Sequence, residues 1–466
     1  MNVAVKFINL YCLVLILVGT VSGHPALTAA TVFKELCNIK RLIAGQTQNC
    51  DVDERQPTVW LGDEDDANFC DASAEHCDHF GLDFVCEDPS GGSLTPCING
   101  TKVKCASPPA VPLTDPTPAT TIRVLVYNVF ELRYLYWQSG QRERTCRIPH
   151  KFFSMHPDID VIVFNEVFMG GCFAPFNDTI ETNTLTMRDI MDQYGFIYYT
   201  DTVGIGEPFP KVENGGAFVA SRWPIVKTDS RVFDISEPYS WMAKGVVYTM
   251  INKTVAGQSV MYHIFGTHMQ AFRTPNADYV RVAQATIIHD FMLEQDIGDD
   301  EPVIFGGDLN ARLNTTNGDD VVDALDATLP TIIGELNVTY DHENNDVFDE
   351  NNDTNWWLDY VLYSRSHIQP EAATIQVVRP RMSTPLEICS TAISPIPSYP
   401  NSQFCTERKN ITDLSDHYAV LGTFHYNMES PPATATEYPH TTDSSVGCCI
   451  HNILVALTIV MGLVLK

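Results

Sequence analysis

Between residues 122 and 427, short runs of β-branched and aromatic residues end again and again in polar ones. IRVLVYN ends at Asn128, IDVIVFNE at Glu166, VMYHIFGTH at His268, and PVIFGGDLN at Asp308 and Asn310. NWWLDYVLYS carries Asp359, and LSDHYAVLGTF opens with Asp416 and His417. Apolar runs of this length predict buried strands. Between them, NADYVRVAQATIIHDFMLEQ (276–295) predicts a helix whose apolar face holds Val280, Val282, Ala283, Ile287 and Ile288. Buried strands alternating with helices predict sheets covered by helices. The polar residues fall mostly where strands finish, which is where loops gather to build a site. At Gly306-Gly307 the pattern predicts that the chain leaves its sheet. Continued extension past the glycines would then put Asp308 and Asn310 on one side and Leu309 on the other.

The flanks have a different character. Residues 1–23 pair one charge, Lys6, with a short apolar run and small residues at Val21 and Gly23, which predicts a cleaved secretory signal. Residues 30–106 hold seven cysteines among short apolar runs, which predicts a small disulfide-rich module, a structural cap or spacer. No CxxC pair in it suggests zinc. SPPAVPLTDPTPATT (107–121) is a Pro/Thr linker and residues 428–445 a stalk of similar composition. The tail, 446–466, is apolar, follows small residues and ends in Lys466. It predicts replacement by a glycolipid anchor at the extracellular cell surface, with a single C-terminal membrane helix as the alternative.

Cysteine usage and glycosylation signals fit that route. Seven N-x-[ST] sequons stand at Asn99, Asn177, Asn252, Asn314, Asn337, Asn352 and Asn410. Of the 14 cysteines, eleven remain once Cys12 of the signal and Cys448-Cys449 of the tail are set aside, so at least one is left over from pairing within the domains. The net charge of −29, from 58 acidic and 29 basic residues, argues against a nucleic-acid partner, which usually meets a basic patch.

The candidate chemistry rests on Asn128, Glu166, His268, Asp308, Asn310, Asp359, Asp416 and His417. Each alone has an ordinary structural reading: a solvated strand end, a core histidine, an Asx turn. Together in one block they supply hard oxygen donors and two histidines. Such oxygens suit Mg2+, with Mn2+ as the alternative. A cation so held polarises a phosphoryl oxygen, and a histidine takes a proton from water.

The order N … NEV … GTHxQ … GDxN … LDY … SDHY resembles the endonuclease/exonuclease/phosphatase superfamily. That likeness implies a four-layered α/β sandwich of the deoxyribonuclease I type, here preceded by the disulfide-rich module. VIVFNEVF (161–168), NGGAFVASRWPI (214–225), AKGVVYTMI (243–251), YHIFGTHMQA (262–271), GGDLN (306–310) and LDYVLYS (358–364) are more specifically similar to secreted neutral sphingomyelinases of the bacterial type. The resemblance covers nearly all of 122–427 and none of the Cys-rich module. It implies a monomeric, Mg2+-dependent phosphodiesterase that acts on sphingomyelin in membranes, giving ceramide and phosphocholine.

Carried over by position, the resemblance makes Glu166 the cation ligand, with Asn128 close by and Asp416 supporting the metal side. Asp308 and Asn310 face the metal-phosphate centre, Asn310 orienting phosphate or water. His417 is the general base, oriented by Asp359. His268 stabilises phosphate charge or protonates the leaving oxygen. Two departures stand out. Met169-Gly170 replaces the acidic-amide pair of a second metal site. CSTAISPIPSYPNSQFC (389–405) replaces an aromatic hairpin, with Cys389 and Cys405 closing a loop whose Ile393, Ile396, Tyr399 and Phe404 would touch lipid. A choline head group would call for aromatic faces, for which Trp356, Trp357 and Tyr360 are the candidates. A nuclease on the same scaffold and a non-catalytic receptor that keeps the fold are the competing readings.

Overall fold

The structure, a computed structural model, describes residue 50 and most of residues 58–428. Residues 1–49, 89–99, 107–115, 173–184, 393–404, 429–466 and some shorter stretches lie outside it. The expected signal and tail, Met169-Gly170 and the loop residues expected to touch lipid are therefore outside the described residues.

Two sheets carry the fold. The first runs Thr331–Ile333, Ala372–Val378, Ala419–His425, Thr121–Glu131, Val161–Val167, Phe218–Ser221, Tyr198–Tyr199. The second runs Ile225–Val232, Gly245–Val255, Gln258–His268, Val303–Asp308, Asp359–Ser364, Ala327–Thr328. Each has a parallel pair at its centre, Thr121–Glu131 with Val161–Val167 and Gln258–His268 with Val303–Asp308. Strand alternation sorts the side chains. Leu125, Tyr127, Val129, Ile162 and Phe164 pack in a cluster with helix residues such as Ile148, Phe152, Ile190 and Met191. Val126 and Val163, of opposite parity, meet the second sheet at Gly306. Helices, sheet, sheet and helix make the four layers that the resemblance implied.

Gly306 and Gly307 lie inside the Val303–Asp308 strand and do not turn the chain out of the sheet, contrary to the sequence expectation. Their role is tertiary. A Cβ on Gly306 would come within 2.9 Å of Val126 in the facing sheet, and one on Gly307 (φ +151°) within 1.8 Å of the Thr267 carbonyl. Close approach of backbones, more than turn geometry, requires glycine here. Two other boundaries also differ from expectation. The strand begins at Asp359, and Asp416 and His417 precede the Ala419–His425 strand without opening it.

The predicted helix spans Pro275–Leu293, with the Thr274 side chain accepting from the Ala277 N–H and Pro at the first turn. Its core face is rotated from the expected one. Val280 and Ile288 are buried, but Val282, Ala283 and Ile287 are only half-buried, and Arg281 and Gln284 take their place inside. Both polar residues are fully engaged. Arg281 donates to the Gln270 and Phe272 carbonyls, and the Gln284 amide accepts from the Gln270 N–H and donates to the Ile235 carbonyl.

The Cys-rich segment holds disulfides Cys50–Cys86 and Cys77–Cys105. Cys77, Val103 and Cys105 share one apolar cluster with Tyr127, Phe153 and Tyr194 of the large block, so this module docks on the helix side of the first sheet. Cys389 and Cys405 are bonded, as expected. Among the sequon asparagines described, Asn314, Asn337 and Asn410 are exposed and Asn252 is half-buried.

At the sheet ends remote from Glu166 and Asp308, Lys253 is buried against Asp160, Nζ lying 2.9 Å from both carboxylate oxygens. It also donates to the Thr121 carbonyl, and Asp160 accepts from the Arg123 N–H and the Trp223 indole. The pair ties one sheet to the other. Lys253→Met leaves a buried carboxylate without its cation and is expected to destabilise the fold by ~3–5 kcal/mol, read by denaturant unfolding. Turnover per folded molecule should change little, since the pair lies at the far end of the sandwich.

Candidate active site

The C-terminal ends of both parallel pairs meet at one cleft of about 830 Å3. Glu166, Asp308, Asn310, Asp416 and His417 line it. Alternation alone places Asn165 toward the second sheet, where it accepts from the Asp308 N–H (3.0 Å) and donates to the Thr267 carbonyl (2.9 Å). Glu166 departs from that alternation through a left-handed backbone (φ +59°). Phe130 (φ +52°), Phe272 (φ +74°) and Asn310 (φ +53°) are left-handed too, and all three line the same cleft. Four such non-glycine residues around one cleft mark it as functional, because conformations that cost energy persist where a site needs them.

Asn128 is fully buried and bridges the two carboxylates. Its amide nitrogen donates to Glu166 Oε1 and Asp308 Oδ2, each at 3.1 Å, while its oxygen accepts from the Phe130 N–H. It thus acts as a donor that gathers the two carboxylates. Asp308 Oδ1 accepts from the Asn310 N–H at 2.8 Å, an Asx turn that accounts for the left-handed Asn310. The Asn310 side chain donates to the Met269 carbonyl at 3.2 Å. Burial raises the Asp308 pKa, against the lowering by His417 and Lys244.

His417 Nδ1 lies 2.8 Å from Asp359 Oδ2, and Asp359 is wholly buried. Burial opposes charge on this ring, yet Asp359, Asp416 and Asp308 together hold its pKa well above the ordinary value. Burial pushes Asp359 up to about 6 and Asp416 up to about 7. Asp416 accepts from the Ser415 hydroxyl at 3.2 Å and faces the cleft beside His417.

His268 behaves otherwise. It is 2% exposed, and burial, Lys244 and His417 drive its pKa well below the ordinary value. The neutral ring accepts from the Lys244 ammonium at Nε2, 2.7 Å away. The same nitrogen lies 3.7 Å from both Glu166 and Asp308, so the ring stands beside the two carboxylates with the Lys244 ammonium behind it. Lys244 also donates to the Met269 carbonyl, and burial brings its pKa to about 8 against the pull of Glu166 and Asp308.

Lys244, Asn165 and Arg144 were missed as site residues. Arg144 is fully buried and donates to the carbonyls of Val129, Phe130 and Leu414, binding the Asn128 strand end to the segment that bears Asp416 and His417. Of the aromatic candidates, Trp357 and Tyr360 are buried, the indole donating to the Asp359 carbonyl and the phenol to the Ala311 carbonyl. Only Trp356 lines the cleft.

Among the described residues, two groups of side chains bring potential ligand atoms within 4.8 Å of one another: Glu166–His268–Asp308 and Asp308–Asp359–His417. Glu166 Oε2 is buried without a hydrogen-bond partner. A buried, unsatisfied carboxylate oxygen beside a second carboxylate fits a hard divalent cation such as Mg2+, which takes one or two carboxylates and keeps other places for water or phosphate.

The sequence profile described as the Endonuclease/Exonuclease/phosphatase family matches residues 125–417. The chain is similar to a Sphingomyelinase C of Bacillus cereus, 28% identical over 318 residues that cover 65% of this chain and 88% of the relative. It is similar to a Phospholipase C of Staphylococcus aureus, 28% identical over 56% of this chain and 78% of the relative. In structure it resembles Sphingomyelinase C from Streptomyces griseocarneus (TM-score 0.53, 25% identity, 66% of this chain and 99% of the other). It also shares the fold of a Staphylococcus aureus beta toxin mutant solved with bound magnesium ions (TM-score 0.53, 24% identity, 65% and 98%).

Proposed function

Because the chain belongs to the endonuclease/exonuclease/phosphatase family, we propose that it is a metal-dependent phosphodiesterase that hydrolyses sphingomyelin to ceramide and phosphocholine at the extracellular membrane surface. The observation that carries the reading is the placement of a His417–Asp359 pair beside the Glu166–Asp308 carboxylates in one cleft. The sphingomyelinase relatives support the lipid substrate, and the acidic chain with its apolar tail supports a membrane surface over nucleic acid.

Glu166 and Asp308 would hold the cation, whose charge polarises the phosphoryl oxygen and counters the carboxylates that keep His417 protonated. His417 takes the proton of the attacking water, and Asp359 fixes the ring through Nδ1. Asn310, tethered to Asp308 and Met269, sits where it can orient phosphate or water. Lys244 adds positive charge behind His268 as negative charge develops on the phosphate.

The test is hydrolysis by the purified chain of sphingomyelin, phosphatidylcholine and DNA, each with and without Mg2+. Sphingomyelin should be cleaved with Mg2+, chelation should abolish turnover, and added Mg2+ should restore it. Cleavage of DNA with indifference to lipid would replace this reading with a nuclease, and unaltered turnover under chelation would remove the metal.

A further inference from the structure

The cleft is lined by charges of both signs. Glu166, Asp308 and Asp416 line it, and so do Arg273, Arg312 and the first turn of the Thr316–Ala324 helix, through Thr316 and Asn317. Arg281 and Asp278 also line it and are ion-paired with each other. Arg273 and Arg312 are exposed, and neither makes an ion pair with a carboxylate among the described residues. In a chain with twice as many acids as bases, two such guanidiniums lining one cleft are unusual.

Both are organised by Trp356. The Arg273 guanidinium lies over its indole, and Arg312 stands 5.6 Å from the same ring centroid. Tyr340 stacks on Trp356 at 5.8 Å and meets the His417 ring edge-on at 4.9 Å. The arginines are thus joined to the catalytic histidine by a short column of rings. Burial lowers the Arg273 pKa, Tyr340 raises it, and Arg312 and Arg281 lower it again, so like charges crowd one another here. The helix turn beside them adds N–H groups that have no partner within the helix. A quaternary ammonium approaching Trp356 would meet a face already covered by a guanidinium and a second cation nearby. An oxyanion would relieve the crowding and could be gripped by two planar donor forks.

We propose that Arg273 and Arg312, held on Trp356 in the catalytic cleft, form a subsite for a second oxyanion, a phosphate or carboxylate carried by a neighbouring anionic lipid or by the head group of an anionic substrate cleaved beside sphingomyelin. The subsite deepens the phosphodiesterase reading and rests on it for its kinetic test.

Two comparisons on the full chain with Mg2+ separate the sources. The first measures sphingomyelin hydrolysis in phosphatidylcholine vesicles and in vesicles where phosphatidylserine replaces part of the phosphatidylcholine. The second measures soluble p-nitrophenyl phosphorylserine against p-nitrophenyl phosphorylcholine. In the double variant R273Q/R312Q, the anionic-to-zwitterionic rate ratio should fall about tenfold or more. A fall with the vesicles alone assigns the subsite to a neighbouring lipid, and a fall with the soluble pair assigns it to the head group. R273K/R312K should keep part of the ratio, because charge remains while the fork is lost. Unchanged ratios in both comparisons overturn the proposal. If the parent protein cleaves none of these substrates, the phosphodiesterase reading fails. Co-sedimentation with phosphatidylserine vesicles then decides: binding lost in R273Q/R312Q supports the subsite, and equal binding overturns it.

Discussion

His417→Ala is expected to lower kcat/KM by ~2–4 orders of magnitude, the scale for losing a positioned general base. The ring is held from several directions. Asp359 takes Nδ1 at 2.8 Å, the Ser415 hydroxyl accepts from the His417 N–H, and an isolated bridge joins His417 to Tyr340. An imidazole so constrained costs little to reorganise, which is why its removal should be felt in kcat as well as KM. Glu166 and Asp308 remain in the variant, so Mg2+ should still raise its melting temperature. That combination separates loss of the base from loss of the metal. Asp359→Asn should retain part of the turnover while moving the acidic limb of the pH profile to lower pH. The carboxylate is the foremost group raising the His417 pKa, and its loss leaves the ring easier to deprotonate. Turnover in His417→Ala within tenfold of the parent would remove the histidine from the base role.

The polar strand ends were legible because each follows an apolar run long enough to declare a buried strand. Asn128, Glu166, His268 and Asp308 all lie at the same end of the sandwich for that reason. Lys244 was not legible as chemistry. It sits in a one-residue gap between Met242–Ala243 and Gly245–Val255, where a lysine looks like a solvated loop cation. Only the neighbouring antiparallel strand shows that His268 and Met269 receive it. Asn165 was hidden by its neighbour: Glu166 drew the chemistry, while Asn165 does the cross-sheet bonding. The helix face was misjudged because hydrophobicity cannot register a buried Arg281 or Gln284 whose polar atoms are satisfied. The glycine pair was misjudged because Gly-Gly is a local turn signal, whereas the clash it avoids involves Thr267 and Val126, distant in sequence.

Asp308→Asn should produce two effects of opposite sign. The first is on stability. Asp308 is 1% exposed, and burial raises its pKa despite Lys244, His417 and the Asn310 N–H. A carboxyl with a raised folded pKa binds its proton more tightly in the folded state, so its ionisation costs stability as pH rises above the unfolded value of about 4. The isosteric amide never pays that cost. The stability of the metal-free variant relative to the parent should therefore rise as pH goes from about 4 to 7, with that gain vanishing as pH falls below about 4. The second effect is on turnover. Loss of the charge that would hold the cation should cost several kcal/mol of transition-state stabilisation, or ~3 orders of magnitude in kcat/KM. The rise in melting temperature that Mg2+ gives the parent should disappear as well, since that rise measures binding to the folded state. A carboxylate kept only for structure predicts the reverse pattern: a variant that melts lower, still responds to Mg2+ and still turns over. The Asn128 amide and the Asn310 N–H both donate to a carboxylate whose burial opposes its charge, and the two measurements together show whether the cation is what that arrangement serves.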